Sequence, residues 1–198
     1  MVLTLIKEIE SCIKNENFLG ALSLALTLPD ICGKAHYPGE GPTSRYRKWY
    51  EENIGKYDDP MMSVVDDEKF KSNEVDMPYL NGEMLYSLRN SFFHQGTLNV
   101  NLNENHLDRC KVTHFTLFVD DYTHGGCAII HSSCYYDDLQ EKERILEINL
   151  VNLCWKLCLV ARRYYEENRE KFDFFEYDYQ DRRKPGQEVL WKYGLLSD

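Results

Sequence analysis

Apolar side chains at Val2, Leu5, Ile6, Ile9, Cys12 and Ile13 recur at three- and four-residue intervals, the spacing of an amphipathic helix over residues 2–16. Asn15 and Asn17 punctuate it. The next helix is expected from about Phe18 to Leu28, with Pro29 at its end. It is apolar nearly all round, which places it inside a bundle. Gly and Pro concentrate in residues 33–43, which read as a loop. A short helix follows from about Ser44 to Ile54, offering Tyr46, Trp49 and Tyr50 for packing. Residues 56–77 are acidic and weakly periodic and read as a connection. A further helix begins near Pro78 or Asn81 and stops at Gly96, which suits a left-handed cap.

Beyond Gly96 the period changes. Lys111 to Val119 alternates loosely and is rich in Val, Thr and Phe, and Cys127 to Tyr135 is expected to return as the second strand of a hairpin across about 110–135. A long helix is then expected from about Leu139 to Lys171. Its first stripe is Leu146, Leu150, Leu153, Leu157, Val160 and Tyr164. Its second, Ile148, Val151, Trp155 and Cys158, implies burial on two sides. The C-terminal stretch from Phe172 carries no assignable pattern. The expected architecture is a mainly α, up-and-down bundle of four to five helices with one inserted β-hairpin, forming a single domain over 1–198.

Composition narrows the functions. The 198 residues carry 33 Asp and Glu against 23 Lys and Arg, a formal charge of -10. That balance excludes a protein that coats nucleic acid by bulk charge and leaves room for a local basic pocket. Seven cysteines, an odd number, show no disulfide framework. The N-terminal residues mix charge into the region where an export signal needs an apolar run, and no run of about 18 apolar residues is visible. The chain is therefore expected to be cytoplasmic, with no membrane partner.

The informative chemistry lies in Leu85-Tyr86-Ser87-Leu88-Arg89-Asn90-Ser91-Phe92-Phe93-His94-Gln95-Gly96. At ~100° per residue, Leu85, Leu88 and Phe92 share an arc that faces the core. Tyr79, Glu83, Tyr86, Asn90 and His94 share another, rich in groups that make directed hydrogen bonds. Asn90 and His94 are four apart, so the amide can orient the imidazole. Arg89 points away from that arc but has the length to curl toward it. Histidine moves protons near neutrality, and arginine grips phosphate oxygens in a fork. The pair suits RNA cleavage by the substrate's own 2′-hydroxyl, which needs a base, a cation and no metal. One helix supplies one His, so an acid–base pair calls for a second copy along a two-fold axis. A helix C-terminus with a dipole-placed His and a surface Arg gives the same pattern.

Arg89-Asn90-Ser91-Phe92-Phe93-His94 near a helix end resembles the R-N-x-x-x-H signature of the HEPN superfamily, whose architecture is an all-helical bundle. Leu28-Pro29-Asp30-Ile31-Cys32-Gly33, with Ser44-Arg45-Tyr46 and Trp49, is similar to a group of uncharacterised bacterial HEPN-like proteins with a β-hairpin before the last long helix. The resemblance implies a homodimer in which the signature helices meet, with Arg89 and His94 catalytic and Asn90 supporting them. Glu83, Tyr86 and Arg45 then line the groove as substrate contacts. It implies a metal-independent ribonuclease of toxin–antitoxin, defence or RNA-processing type, with no cofactor and with an antitoxin-like protein as a possible partner. The alternative is an inactive HEPN-like module that binds a nucleotide, RNA or protein partner. Some HEPN toxins carry a modifiable Tyr two residues after the His; this chain has Gly96 there, so that mode of silencing is not expected.

Other signals are weaker. His124, Cys127, His131 and Cys134 superficially resemble a zinc set, but on one strand Cys127 and His131 lie roughly 13 Å apart, too far for one tetrahedral ion. Asp120-Asp121 and Asp137-Asp138 read as turn acids, Arg182-Arg183-Lys184 as an exposed tail, and Cys32 as an inert thiol.

Overall fold

A computed structural model describes residues 1–58, 80–96, 98, 110–120, 129–136 and 142–175, with the backbone alone in strand segments 110–113, 129–136 and 142–144. The protein is mainly helical. Helix α1, Val2–Lys14, buries Val2, Ile6 and Ile9 at the predicted spacing. Asn17 caps α2, Phe18–Ala25, by accepting a hydrogen bond from the Gly20 amide at 3.2 Å.

The apolar stretch that follows is broken earlier than its composition suggests. After a turn at Leu26–Thr27, α3 runs Leu28–His36 into the start of the expected loop, which is confined to 37–41, with Pro29 in its first turn. Pro29 therefore opens a helix instead of closing one, because first-turn N–H groups have no intrahelical acceptor to lose. Phe18–His36 is long and apolar enough by count to cross a membrane, with a mean hydropathy of 1.3. Here Ala21, Leu22, Ala25, Leu26, Leu28 and Cys32 lie fully buried in the core.

Helix α4, Pro42–Tyr50, also begins on a proline and buries Tyr46, Trp49 and Tyr50, as expected. One wide π turn, Glu51–Gly55, continues it into a helical turn at Lys56–Asp58. Helix α5 spans Gly82–Asn90 behind an Asn81 cap, whose side chain accepts from the Met84 amide at 2.9 Å. The expected connection at 56–77 lies largely outside the described residues, as do Tyr79 and the tail beyond residue 175.

The β-structure departs from the expected hairpin. Strand β1 (Cys110–Phe118) does not pair with β2 (Ile129–Tyr136); both flank a third strand, β3 (Lys142–Asn149). β3 pairs parallel with β1 and antiparallel with β2. The hairpin is thus β2–β3, and β3 occupies residues expected to start the long helix. The physical reason is a period of two: Leu146 and Ile148 are both fully buried, near Phe115 of β1. Asn149 then ends the strand and caps helix α6 (Leu150–Glu167), accepting from the Asn152 amide at 3.0 Å and donating to the Asp120 carboxylate at 2.7 Å. Asp120 is held by this contact rather than solvated in a turn.

Helix α6 packs on α1, α2 and α3. Leu150, Leu153, Leu157 and Tyr164 of the expected first stripe are buried. The second stripe is divided: Cys158 is buried, Val151 is half-buried, Trp155 is 44% exposed, and Ile148, though buried, belongs to β3. Phe172, where the unassigned C-terminal stretch begins, is buried and meets the Tyr164 and Tyr165 rings edge-on.

Helix α4 is held unusually close on two sides. A Cβ placed on Gly33 of α3 would stand 2.7 Å from the Arg45 carbonyl oxygen, and one on Gly82 of α5 would stand 2.4 Å from that of Arg47. Backbone cannot yield as a side-chain tip can, so Gly82→Ala is expected to destabilise by about 1–3 kcal/mol through forced separation of α4 and α5. Gly39→Ala, with nothing within 4 Å, serves as the near-neutral control, read by urea unfolding.

Burial pushes the Cys158 thiol up to about 12 and the Tyr164 hydroxyl up to about 12, from 9.0 and 10.0. The fold favours the neutral acids, so this stabilisation is intact below pH ~9 and is lost as pH rises toward about 12. The urea midpoint is expected to fall steadily above pH ~9; a level or rising midpoint there contradicts the assignment.

Candidate active site

The candidate site forms where α5 changes its winding. Leu85 and Leu88 are fully buried and Phe92 packs partly against the core, as their arc requires. The turn that follows, Ser91–Gln95, is a π-helix, closed by Gly96 at φ +61°. Its bonds run i→i+5, and the wider turn brings residues five apart toward the same side. Arg89 and His94 are five apart. The Arg89 Nη1 group lies 3.0 Å from His94 Nε2 and donates to Asn90 Oδ1 at 2.9 Å.

Chemistry orders this triad. A guanidinium only donates, so His94 Nε2 is the acceptor, unprotonated, with its lone pair engaged by Arg89. Asn90 orients the guanidinium, not the imidazole as its i,i+4 spacing suggests. The exposed His94 ring is therefore placed by Arg89, and Arg89 by Asn90. Phe93, absent from the sequence-based site, is 42% exposed, with the Arg89 guanidinium 5.6 Å from its ring centroid. Its place four residues after Arg89, one helical turn on, was the signal for it.

Charge pairing distinguishes Arg89 from its neighbours. Arg45 pairs with Asp30, Arg47 with Glu83, Lys48 with Glu40, Lys156 with Asp58, Arg162 with Glu10 and Arg163 with Glu167. Arg89 has no carboxylate partner among the described residues. It is half-buried, and its charge is felt at Tyr46, whose hydroxyl burial holds well above its ordinary range while Arg89 works the other way. A half-buried guanidinium whose acceptors are both neutral is a ready contact for an anion.

The three expected substrate contacts fare differently. Tyr86 stands one turn before Asn90, its hydroxyl 2.7 Å from Thr43 Oγ1 and its ring edge-on to Tyr46. The Glu83 carboxylate is occupied by Arg47 at 2.7 Å. Arg45 is only 15% exposed and is fastened through Nε and Nη2 to one Asp30 oxygen on α3. Arg47 is the α4 arginine that faces α5.

The other candidates stay apart. Cys32 is fully buried and burial pushes its thiol up, so it is no nucleophile at neutral pH. His124 and Cys127 lie outside the described residues, and the side chains of His131 and Cys134 are not described. Among the described residues no His, Cys, Asp and Glu group is set to hold a metal ion.

The Arg89 contact fixes a tautomer. Nitrogen-15 NMR above neutral pH is expected to find His94 as the Nδ1–H form with Nε2 unprotonated. Arg89→Ala is expected to move the ring toward the Nε2–H form; an unchanged spectrum would disprove the contact.

Compared with protein-family models, with curated proteins and with solved structures, the chain matches none.

Proposed function

We propose that this protein is a HEPN-type endoribonuclease, acting as a homodimer without metal and cleaving RNA by attack of the substrate's own 2′-hydroxyl. The observation that carries this reading is the Arg89 guanidinium, free of any described carboxylate and in contact with His94 Nε2 at 3.0 Å. In this mechanism Arg89 turns from His94 to the phosphate, and one His94 then takes the 2′-hydroxyl proton through the Nε2 lone pair so released. The 2′-oxygen attacks phosphorus, the bond to the 5′-oxygen breaks, and the partner's His94, in its protonated form, donates to the leaving oxygen. Arg89 stabilises the crowded phosphate, and the neutral Asn90 holds Arg89 without quenching its charge. The products are a 2′,3′-cyclic phosphate and a 5′-hydroxyl.

The acidic charge of -10 confines RNA to a local groove and makes tight, nonspecific coating unfavourable. The test is end-labelled RNA in excess EDTA, with solution mass measured for each variant. His94→Ala and Arg89→Ala are each expected to lose at least about 100-fold in rate while the dimer persists, and Asn90→Ala less. Equal cleavage by His94→Ala and wild type would sink the reading. RNA or nucleotide binding with no turnover by any form would instead assign the groove to a non-catalytic module.

A further inference from the structure

We infer that Arg47 is a second phosphate contact of the same groove, one that Glu83 occupies until RNA displaces it. The inference rests on the RNA-binding reading of the Arg89 site and adds to it a subsite and a built-in competitor.

Position comes first. Glu83, Tyr86 and Asn90 lie along one face of α5, at i, i+3 and i+7, so Glu83 stands about 10 Å along the helix axis from Asn90. Arg47 reaches that face from α4. It touches Glu83 Oε2 through Nη1 at 2.7 Å, and its guanidinium lies 5.0 Å from the Tyr86 ring centroid. Tyr86 in turn meets Tyr46, which senses the Arg89 charge. The Arg47 guanidinium therefore lies over Tyr86, one turn before the Asn90 that holds Arg89, on the face where substrate is expected. The close crossing of Gly82 against the Arg47 carbonyl fixes the α4 backbone to α5, so Arg47 starts from a set position.

The pairing itself is incomplete. A guanidinium has five N–H donors and a carboxylate can take two of them in a fork. Arg47 gives Glu83 a single contact, and its buried Nε has no acceptor among the described residues. Arg45, two residues earlier, shows the contrasting case: two nitrogens on one acid and only 15% exposure. The Arg47 and Glu83 side chains keep 36% and 28% exposure, so a phosphate can reach the pair. A phosphate offers more acceptor oxygens than Glu83 now supplies. Displaced, Glu83 is left as a negative charge beside the backbone of the RNA, so the exchange costs affinity and restrains weak or short substrates.

The probe is a fluorescein-labelled RNA oligonucleotide with every 2′-hydroxyl methylated, which cannot be cleaved by the proposed route. Binding is followed by anisotropy across a potassium chloride series. Glu83→Gln is expected to tighten binding several-fold and to steepen the logarithmic salt slope. Arg47→Ala is expected to weaken binding and flatten the slope by about 0.7, the value of one single-strand phosphate contact. Arg47→Lys keeps the charge and is expected to keep the slope, which separates contact from folding. Unchanged slopes in Glu83→Gln and Arg47→Ala, with Arg89→Ala still losing binding, overturn this inference and leave the Arg89 reading intact. Changed slopes in the first two with Arg89→Ala unaffected uphold the Arg47 contact and remove the Arg89 reading. No binding by wild type or by Glu83→Gln overturns both.

Discussion

The closeness of α4 to its two neighbours governs the molecule. Gly33 and Gly82 let the backbone of one short helix approach α3 on one side and α5 on the other, at distances a methyl group would forbid. Helix axes that near leave no room for interposed side chains, so the residues at the crossings are forced outward. Arg45 turns to Asp30 on α3 and Arg47 to Glu83 on α5. Tyr46, Trp49 and Tyr50 fill the core. The candidate site inherits its geometry from this wedge, because α5 is registered against α4 before its last turn begins.

Some of this was legible in the residues and some was not. The period of α1, the Asn17 and Asn81 caps, the buried Leu85 and Leu88, and Gly96 in a left-handed conformation follow from local chemistry that each residue carries alone. Pro29 misled because proline both ends and begins helices, and the choice depends on whether the turn before it is complete. β3 was hidden because Leu146 and Leu150 also fit a helical stripe. The alternation of Leu146 and Ile148, with Asn149 poised as a cap, was the competing signal, and pairing with β1 and β2 decided it. Such long-range pairing has no local mark.

At the site, the identity of the residues could be read but not their order of contact. An ideal helix puts Asn90 beside His94 and leaves Arg89 to curl in. The π turn reverses that precedence, joining Arg89 to His94 and making Asn90 a support for the guanidinium. Nothing in Ser91-Phe92-Phe93-His94-Gln95 announces the wider turn. The same limit applied to the two arginines of α4, alike in sequence and opposite in setting.

The join between sheet and bundle has its own mechanical meaning. After Gly96 the chain returns at Leu98, whose carbonyl accepts from the Phe115 amide of β1 at 3.0 Å. β1 lies alongside β3, and β3 passes into α6 through Asn149 with no intervening loop. The backbone on either side of the π turn is thus held by different parts of the fold, α5 before it and, from Leu98, the strand that lies against β3 after it. An end of a helix that would ordinarily fray is anchored on both sides of its exposed histidine, and the sheet serves as the second anchor.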